Sequence, residues 1–121
     1  MVSDKKKVLI VDDSTAVINS LVEILVDTDY EVVGIAKDGM EALAKCKELY
    51  PDIVTLDIEM PKLDGIQALR ILRRINRTLR VIMVTSLNTV DKVLECKNAG
   101  ASQYIIKPFE KNKVLEAFAK V

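Results

Sequence analysis

Residues 51–65 read Pro51-Asp52-Ile53-Val54-Thr55-Leu56-Asp57-Ile58-Glu59-Met60-Pro61-Lys62-Leu63-Asp64-Gly65. Ile53 to Leu56 is a short apolar, β-branched run with no helical period, the pattern of a buried strand rather than a helix. The run stops at Asp57. Pro61 has no amide hydrogen for a ladder and Asp64-Gly65 is a turn signal, so the strand empties into a loop. An acid therefore stands where a strand meets its exit. In parallel α/β sheets that edge, outside the carboxyl ends of the strands, is where sites form. Alone, Asp57 reads as an acid that satisfies loop amides. The flanking sequence shifts that reading.

Upstream, Val8 to Val11 is a second continuous apolar run, and it stops at Asp12-Asp13-Ser14. Val17, Ile18, Leu21, Val22 and Leu25 then recur at helical spacing, with Asp13 or Ser14 as the cap. Val32 to Ala36 predicts another strand. Asp38 and Glu41 have the spacing of a capping box that opens a second helix, and Pro51 closes it. Downstream, Asp64 is placed to cap a third helix carrying Ile66, Leu69, Leu72 and Ile75. Val81 to Val84 predicts the fourth strand, ending at Thr85-Ser86. Val90, Val93 and Leu94 belong to a fourth helix, which Gly100 would end in a left-handed turn. Tyr104 to Ile106 is the fifth strand, ending at Lys107-Pro108, and a fifth helix with Val114, Leu115 and Phe118 runs to the last residue. Strand and helix alternate five times, and the strands are continuous rather than alternating in hydropathy. Such a pattern predicts an α/β fold, a parallel sheet with helices on both faces. Right-handed crossovers leave few topologies. With no linker, repeat or low-complexity tract, residues 1–121 read as one domain.

Composition narrows the partners. Lys plus Arg equals Asp plus Glu, so no bulk field draws the chain to nucleic acid or membrane. The Lys5-Lys6-Lys7 run reads as a solvated N-terminal edge. No apolar run approaches the ~20 residues of a membrane span, and no signal-peptide core follows the polar start. A cytoplasmic location is expected. Cys46 and Cys96 lie in helical patterns without metal spacing, which predicts free buried thiols. The chain has no histidine, which excludes any His-based metal or nucleophile–base site.

A parallel sheet brings every strand's carboxyl end to one rim. That rim would hold Asp12 and Asp13, Asp57, Thr85 and Lys107. Three carboxylates against one ammonium leave an uncompensated negative charge, which would push one acid to take up a proton. A divalent cation would cancel it. With oxygen ligands alone on offer the ion should be hard, and Mg²⁺, which keeps waters and accepts phosphate as a ligand, fits. Mn²⁺ is the natural substitute. Acids, a lysine, a hydroxyl and Mg²⁺ suit phosphoryl chemistry, in which a carboxylate can serve as nucleophile. Asp57, on the central strand, is the candidate.

Four stretches carry a family resemblance: residues 8–14 (Val-Leu-Ile-Val-Asp-Asp-Ser), 52–65, 81–86 (Val-Ile-Met-Val-Thr-Ser) and 99–109 (Ala-Gly-Ala-Ser-Gln-Tyr-Ile-Ile-Lys-Pro-Phe). In this order they resemble the receiver domain of two-component response regulators, close to the single-domain chemotaxis (CheY-like) kind. The resemblance implies a flavodoxin-like (βα)5 fold with strand order 2-1-3-4-5. It implies that Asp57 is the phosphoacceptor, that Asp13 and Asp57 bind Mg²⁺ directly, and that Asp12 acts through water. The Glu59 carbonyl would be a further ligand. Lys107 would contact the phosphoryl group, Thr85 would move to bond it, and Tyr104 would turn inward behind it. The Lys107-Pro108 bond would be cis.

The function so implied is a phosphorylation switch. A histidine kinase would supply the phosphoryl group. The face made by the fourth helix, fifth strand and fifth helix would signal to a downstream protein, such as a flagellar motor switch or another effector. The chain would then act as a phosphoacceptor that assists its own chemistry rather than as an enzyme with an external substrate. Glu59 and Leu87, two residues past Asp57 and Thr85, are expected to flank the access path. Val90, Val93, Tyr104 and Lys111 are expected to form the partner surface, and Gly65 reads as structural. Three rivals remain. A Mg²⁺-dependent phosphohydrolase of the haloacid dehalogenase type wants a second Asp two residues after the first, where this chain has Glu59. A flavodoxin-type FMN carrier presents hydroxyls and amides to phosphate, where this chain presents Asp12-Asp13. The third is a receiver cut from a longer DNA-binding or enzymatic regulator.

Overall fold

The strand ladders begin earlier than hydropathy indicates. In the computed structural model, which describes residues 4–121, β1 spans Lys6–Val11, β2 Tyr30–Ala36, β3 Ile53–Leu56, β4 Arg80–Thr85 and β5 Gln103–Ile106. The helices between and after them are α1 (Thr15–Leu25), α2 (Gly39–Leu49), α3 (Gly65–Ile75), α4 (Val90–Ala99) and α5 (Lys111–Ala119). Lys6 and Lys7, expected at a solvated edge, pair in register with Tyr30 and Glu31 inside the ladder. A strand's backbone hydrogen bonds do not need an apolar side chain, so charged residues at strand starts escape a hydropathy reading. The last helix stops at Ala119, short of the chain end.

All strands are parallel, in the order β2-β1-β3-β4-β5. Alternate residues feed two cores. Leu9, Val11, Val54, Leu56, Val81 and Met83 point toward α2, α3 and α4. Val8, Ile10, Ile53, Ile82, Val84 and Ile105 point toward α1 and α5, where Phe118 is fully buried and meets the Tyr30 ring edge-on at 4.9 Å. Both faces are covered, which is why the strands read as unbroken apolar runs. The one buried side-chain polar atom without a partner among the described residues is Thr55 Oγ1, on the α1/α5 face.

Helix ends follow short-range chemistry. Ser14, not Asp13, caps α1, accepting from the Val17 amide. Asp38 Oδ1 accepts from Glu41 N at 2.8 Å, but Glu41 turns its carboxylate to Lys45, so the predicted box is half formed. The complete box stands on α3, where Asp64 and Gln67 exchange side-chain-to-backbone bonds. Gly100 ends α4 at φ 107. Cys96 is buried, whereas Cys46 is only half-buried, so the expectation of two buried thiols holds for one. Neither is in a disulfide.

Candidate functional site

Backbone ladders carry three strand-exit residues to one rim. The Asp12 amide donates to Ala36 O (3.0 Å), that of Asp57 to Val11 O (3.2 Å) and that of Lys107 to Thr85 O (2.9 Å). Each exit residue is thereby held by the neighbouring strand. The rim sits after the last apolar residue of each strand, where the main chain still has ladder partners while the side chain is released from the core. Gly65 sets the floor: its amide donates to Ile58 O, and a Cβ there would lie 1.9 Å from the Asp57 carbonyl oxygen. No other residue permits that approach, which supports the structural reading of Gly65.

Lys107 Nζ reaches Asp12 Oδ2 at 2.7 Å and Asp57 Oδ2 at 3.1 Å. Asp12 Oδ1 also accepts from the Ser14 amide, and Asp57 Oδ1 from the Glu59 amide. Asp12 and Asp57 are buried, while Asp13 is exposed and stands beside them. Carboxylate oxygens of the three acids all lie within 4.8 Å of one another. The peptide bond between Lys107 and Pro108 is cis.

The two partners of the Asp12–Lys107 pair respond differently to burial. For Lys107, burial alone would lower the pKa, but the hydrogen bonds to Asp12 and Asp57 outweigh it and hold the ammonium above its usual value. For Asp12, burial dominates and its pKa is raised despite Lys107. The asymmetry has a cause: the Asp12 side chain is 2% exposed against 17% for Lys107, and one ammonium serves two acids. The site is short of positive charge. A hard divalent cation would supply what is missing, and a donor set made only of oxygens fits Mg²⁺.

Thr85 and Tyr104 touch neither acid. Thr85 is fully buried, and its Oγ1 accepts from the Leu87 amide at 3.4 Å. The Tyr104 hydroxyl donates to the Leu87 carbonyl, and its ring packs on the α2/α3/α4 core. Burial, with the charges of Cys96 and Asp57 behind it, pushes the Tyr104 phenol up to about 12. Leu87, expected at the access path, is thus gripped at both ends of its peptide unit by the two candidate switch residues. Sequence reasoning missed one contact, Ser86 Oγ donating to Glu59 Oε1 at 3.1 Å across the mouth. The only signal for it was a hydroxyl directly after a strand-exit threonine. The expected partner surface is wider than read: Val90, Leu94 and Ile106 are 72%, 48% and 45% exposed, Lys111 is exposed, and Val93 is half-buried.

A doubly wound parallel sheet with acids and a lysine at its carboxyl rim defines a class, and the comparison with known families gives it a name. The response regulator receiver domain matches residues 8–119, and the chain belongs to that family. Among its relatives, the chemotaxis protein CheY of Thermotoga maritima is 42% identical over 116 residues, covering 96% of this chain and 97% of its own. A chain of the CheX–CheY–BeF3–Mg²⁺ complex from Borrelia burgdorferi superposes with a TM-score of 0.90 at 40% identity, over 93% of this chain and 86% of that one. The protein-glutamate methylesterase/protein-glutamine glutaminase of Lawsonia intracellularis is 46% identical over 104 residues, covering 84% of this chain but 29% of its own length. Receivers of this kind are signalling proteins rather than enzymes with an external substrate. Among the described residues no helix is long and apolar enough to cross a membrane.

Proposed function

We propose that this receiver is a chemotaxis-type phosphorylation switch in which Asp57 accepts a phosphoryl group from a phosphohistidine of a cytoplasmic histidine kinase. The P–N bond of the donor breaks, an Asp57 Oδ–P bond forms, and the imidazole leaves with its electron pair. Hydrolysis of the acyl phosphate returns inorganic phosphate and the free carboxylate. The observation that carries the reading is Lys107 bridging Asp12 and Asp57 beside Asp13.

Each residue then has a task. Asp12, Asp13, Asp57 and the Glu59 carbonyl would hold Mg²⁺, or Mn²⁺ in its place. The ion supplies charge neutralisation for the transferring group. Lys107, already between the acids, is in position to follow phosphoryl oxygens when they arrive. The Thr85 hydroxyl keeps its own proton to donate while it accepts from the Leu87 amide, and turning toward a phosphoryl oxygen would stretch that 3.4 Å bond, which is long and easily given up. Loss of that bond loosens one of the two grips on Leu87 and lets Tyr104 repack. The change reaches α4, β5 and α5, where Val90, Leu94 and Ile106 are exposed and Ile106, Phe109 and Lys113 line a groove of about 630 Å³. A flagellar motor protein or another effector is the partner this face would serve. Ligand-induced change of this kind is a shift between states with different contacts.

A second reading keeps the same chemistry. The receiver of the methylesterase relative is part of a longer chain, so the switched face could act on a linked effector. The test common to both is acetyl phosphate with Mg²⁺, read by intact mass. Wild type gains one phosphoryl group, and Asp57→Asn or removal of Mg²⁺ abolishes the gain. An adduct of equal yield on Asp57→Asn contradicts the assignment.

A further inference from the structure

Every arginine of the chain falls between Arg70 and Arg80, and all its other basic residues are lysines. Two of the five work inside the fold. Arg70 faces Glu95 at 3.5 Å. Arg73 donates to the carbonyls of Arg77, Leu79 and Gly100, tying α3 to the start of β4 and the end of α4. Arg74, Arg77 and Arg80 are exposed and have no ion pair among the described residues. A guanidinium is always charged and its fork matches carboxylates. Three of them unpaired on a chain of zero net charge make a local surplus.

Arg74 and Arg77 adjoin in sequence Ile75 and Asn76, which line a cavity at the amino-terminal pole of the sheet, the far end from Asp57. The cavity, about 330 Å³, opens between the ends of α2 and α3 and is lined by Leu43, Cys46, Leu72, Ile75 and Leu79, with Lys47 on its wall. Tyr50 and Ile75 line it while 74% and 55% exposed. Tyr50 sits at φ 48, a left-handed backbone that a tyrosine seldom adopts. Through Tyr50, Pro51, Asn76 and Leu79 the cavity continues into a polar cleft of about 440 Å³, which adds Lys6, Thr78 and Arg80. The cleft also holds Asp52, whose Oδ2 accepts from the Lys7 amide, and the terminal Val121, and Glu48 stands beside Lys47 in sequence. An apolar cavity of side-chain size therefore runs into a polar cleft that carries Lys6 and Arg80, with Arg74 and Arg77 next in sequence to the lining residues Ile75 and Asn76.

We propose that this pole docks an acidic segment of a partner protein, with one large apolar side chain in the cavity and flanking carboxylates on Arg74, Arg77 and Arg80. Charge complementarity and the join of apolar to basic lining select this occupant. Exposed Tyr, Ile and Arg around a cavity are the composition of interface anchors. A duplex or other long polyanion draws its affinity from many phosphate contacts, more than this short stretch provides. A segment bound here leaves the Asp57 rim open, so docking is compatible with either phosphorylation state.

A random twelve-residue peptide library displayed on phage, selected on the whole chain, tests the proposal. Enriched peptides are expected to pair a Leu, Ile, Phe or Trp with adjacent Asp or Glu. They should bind Arg74→Glu/Arg77→Glu and Ile75→Asp at least about tenfold more weakly, while Asp57→Asn binds them as wild type does. Amide shifts in the wild type should move only around residues 43–52 and 72–80. All three substituted positions are exposed, and circular dichroism checks that the variants stay folded. A library that enriches nothing overturns the proposal, as do peptides without acids or peptides bound equally by the variants. Displacement of the peptides by a duplex oligonucleotide or an anionic vesicle also overturns it, assigning the face to that polyanion.

Discussion

Lys107 is the residue on which the site's electrostatics turn. Among the described residues it is the one cation paired with Asp12 and Asp57, and Asp13 is left without a described ion pair. Three acids within 4.8 Å repel when no metal is bound. Asp13→Asn removes one of those charges at an exposed position and leaves the Lys107 bonds intact. In EDTA its urea midpoint should therefore rise, by about 0.5–1 kcal/mol of stability. Added Mg²⁺ should stabilise wild type, by about 1.4 kcal/mol at tenfold over its dissociation constant, and should stabilise the variant far less. A variant that is less stable in EDTA yet responds fully to Mg²⁺ would remove Asp13 from the site. These residues were legible in the sequence because polar side chains at the ends of apolar runs have few structural reasons to be there. The Ser86–Glu59 bond was not, because it joins two loops whose mutual approach is set by the tertiary fold.

Among elements, the β4–α4 connection is the part proposed to change on phosphorylation. Its Leu87 hangs from Thr85 by the amide and from Tyr104 by the carbonyl, and α4 itself buries only Cys96 fully. Thr85→Val keeps the volume and removes the hydroxyl. The account expects Asp57 to be phosphorylated at a rate within a few-fold of wild type, while the Tyr104 ring resonances no longer shift when the phosphoryl mimic BeF3⁻ is added with Mg²⁺. Ring shifts equal to wild type would uncouple Thr85 from the switch. The helices themselves were read from spacing, and their caps from local sequence. The misreadings are physical rather than accidental. Gln67 completes the α3 box because its amide can reach the Asp64 backbone, whereas Glu41 finds a better partner in Lys45. Lys6 and Lys7 join β1 through backbone bonds that carry no hydropathy signal.

At the scale of the whole molecule, Cys46 and Tyr104 tie stability to alkaline pH, as do Cys96 and Lys107, whose pKa values are also raised. Burial holds the Cys46 thiol up at about 11 from its usual 9, and the Tyr104 phenol at about 12 from its usual 10. Both are neutral when protonated, and the unfolded chain loses these protons first. The stability they contribute is complete below about pH 9 and is lost as pH rises toward 12. Unfolding free energy should fall by about 3–4 kcal/mol between pH 8 and pH 11 from these two groups, and Cys46→Ala with Tyr104→Phe should flatten that fall. A slope unchanged in the double variant would place the alkaline loss elsewhere. The order of the five units along the chain was readable because parallel strands covered on both faces have no polar alternation. Which strand neighbours which was not readable from periodicity and came with the family resemblance.

The central claim is that the cation-poor rim makes the Asp57 carboxylate, and no other, a phosphoryl acceptor. Borohydride reduces an acyl phosphate to an alcohol and so converts a phosphorylated aspartate to homoserine. Wild type treated with acetyl phosphate and Mg²⁺, reduced, digested and sequenced by mass spectrometry should carry homoserine at position 57 alone. Homoserine at position 12 or 13, or none at any aspartate while the intact protein still gains the phosphoryl mass, would contradict the account.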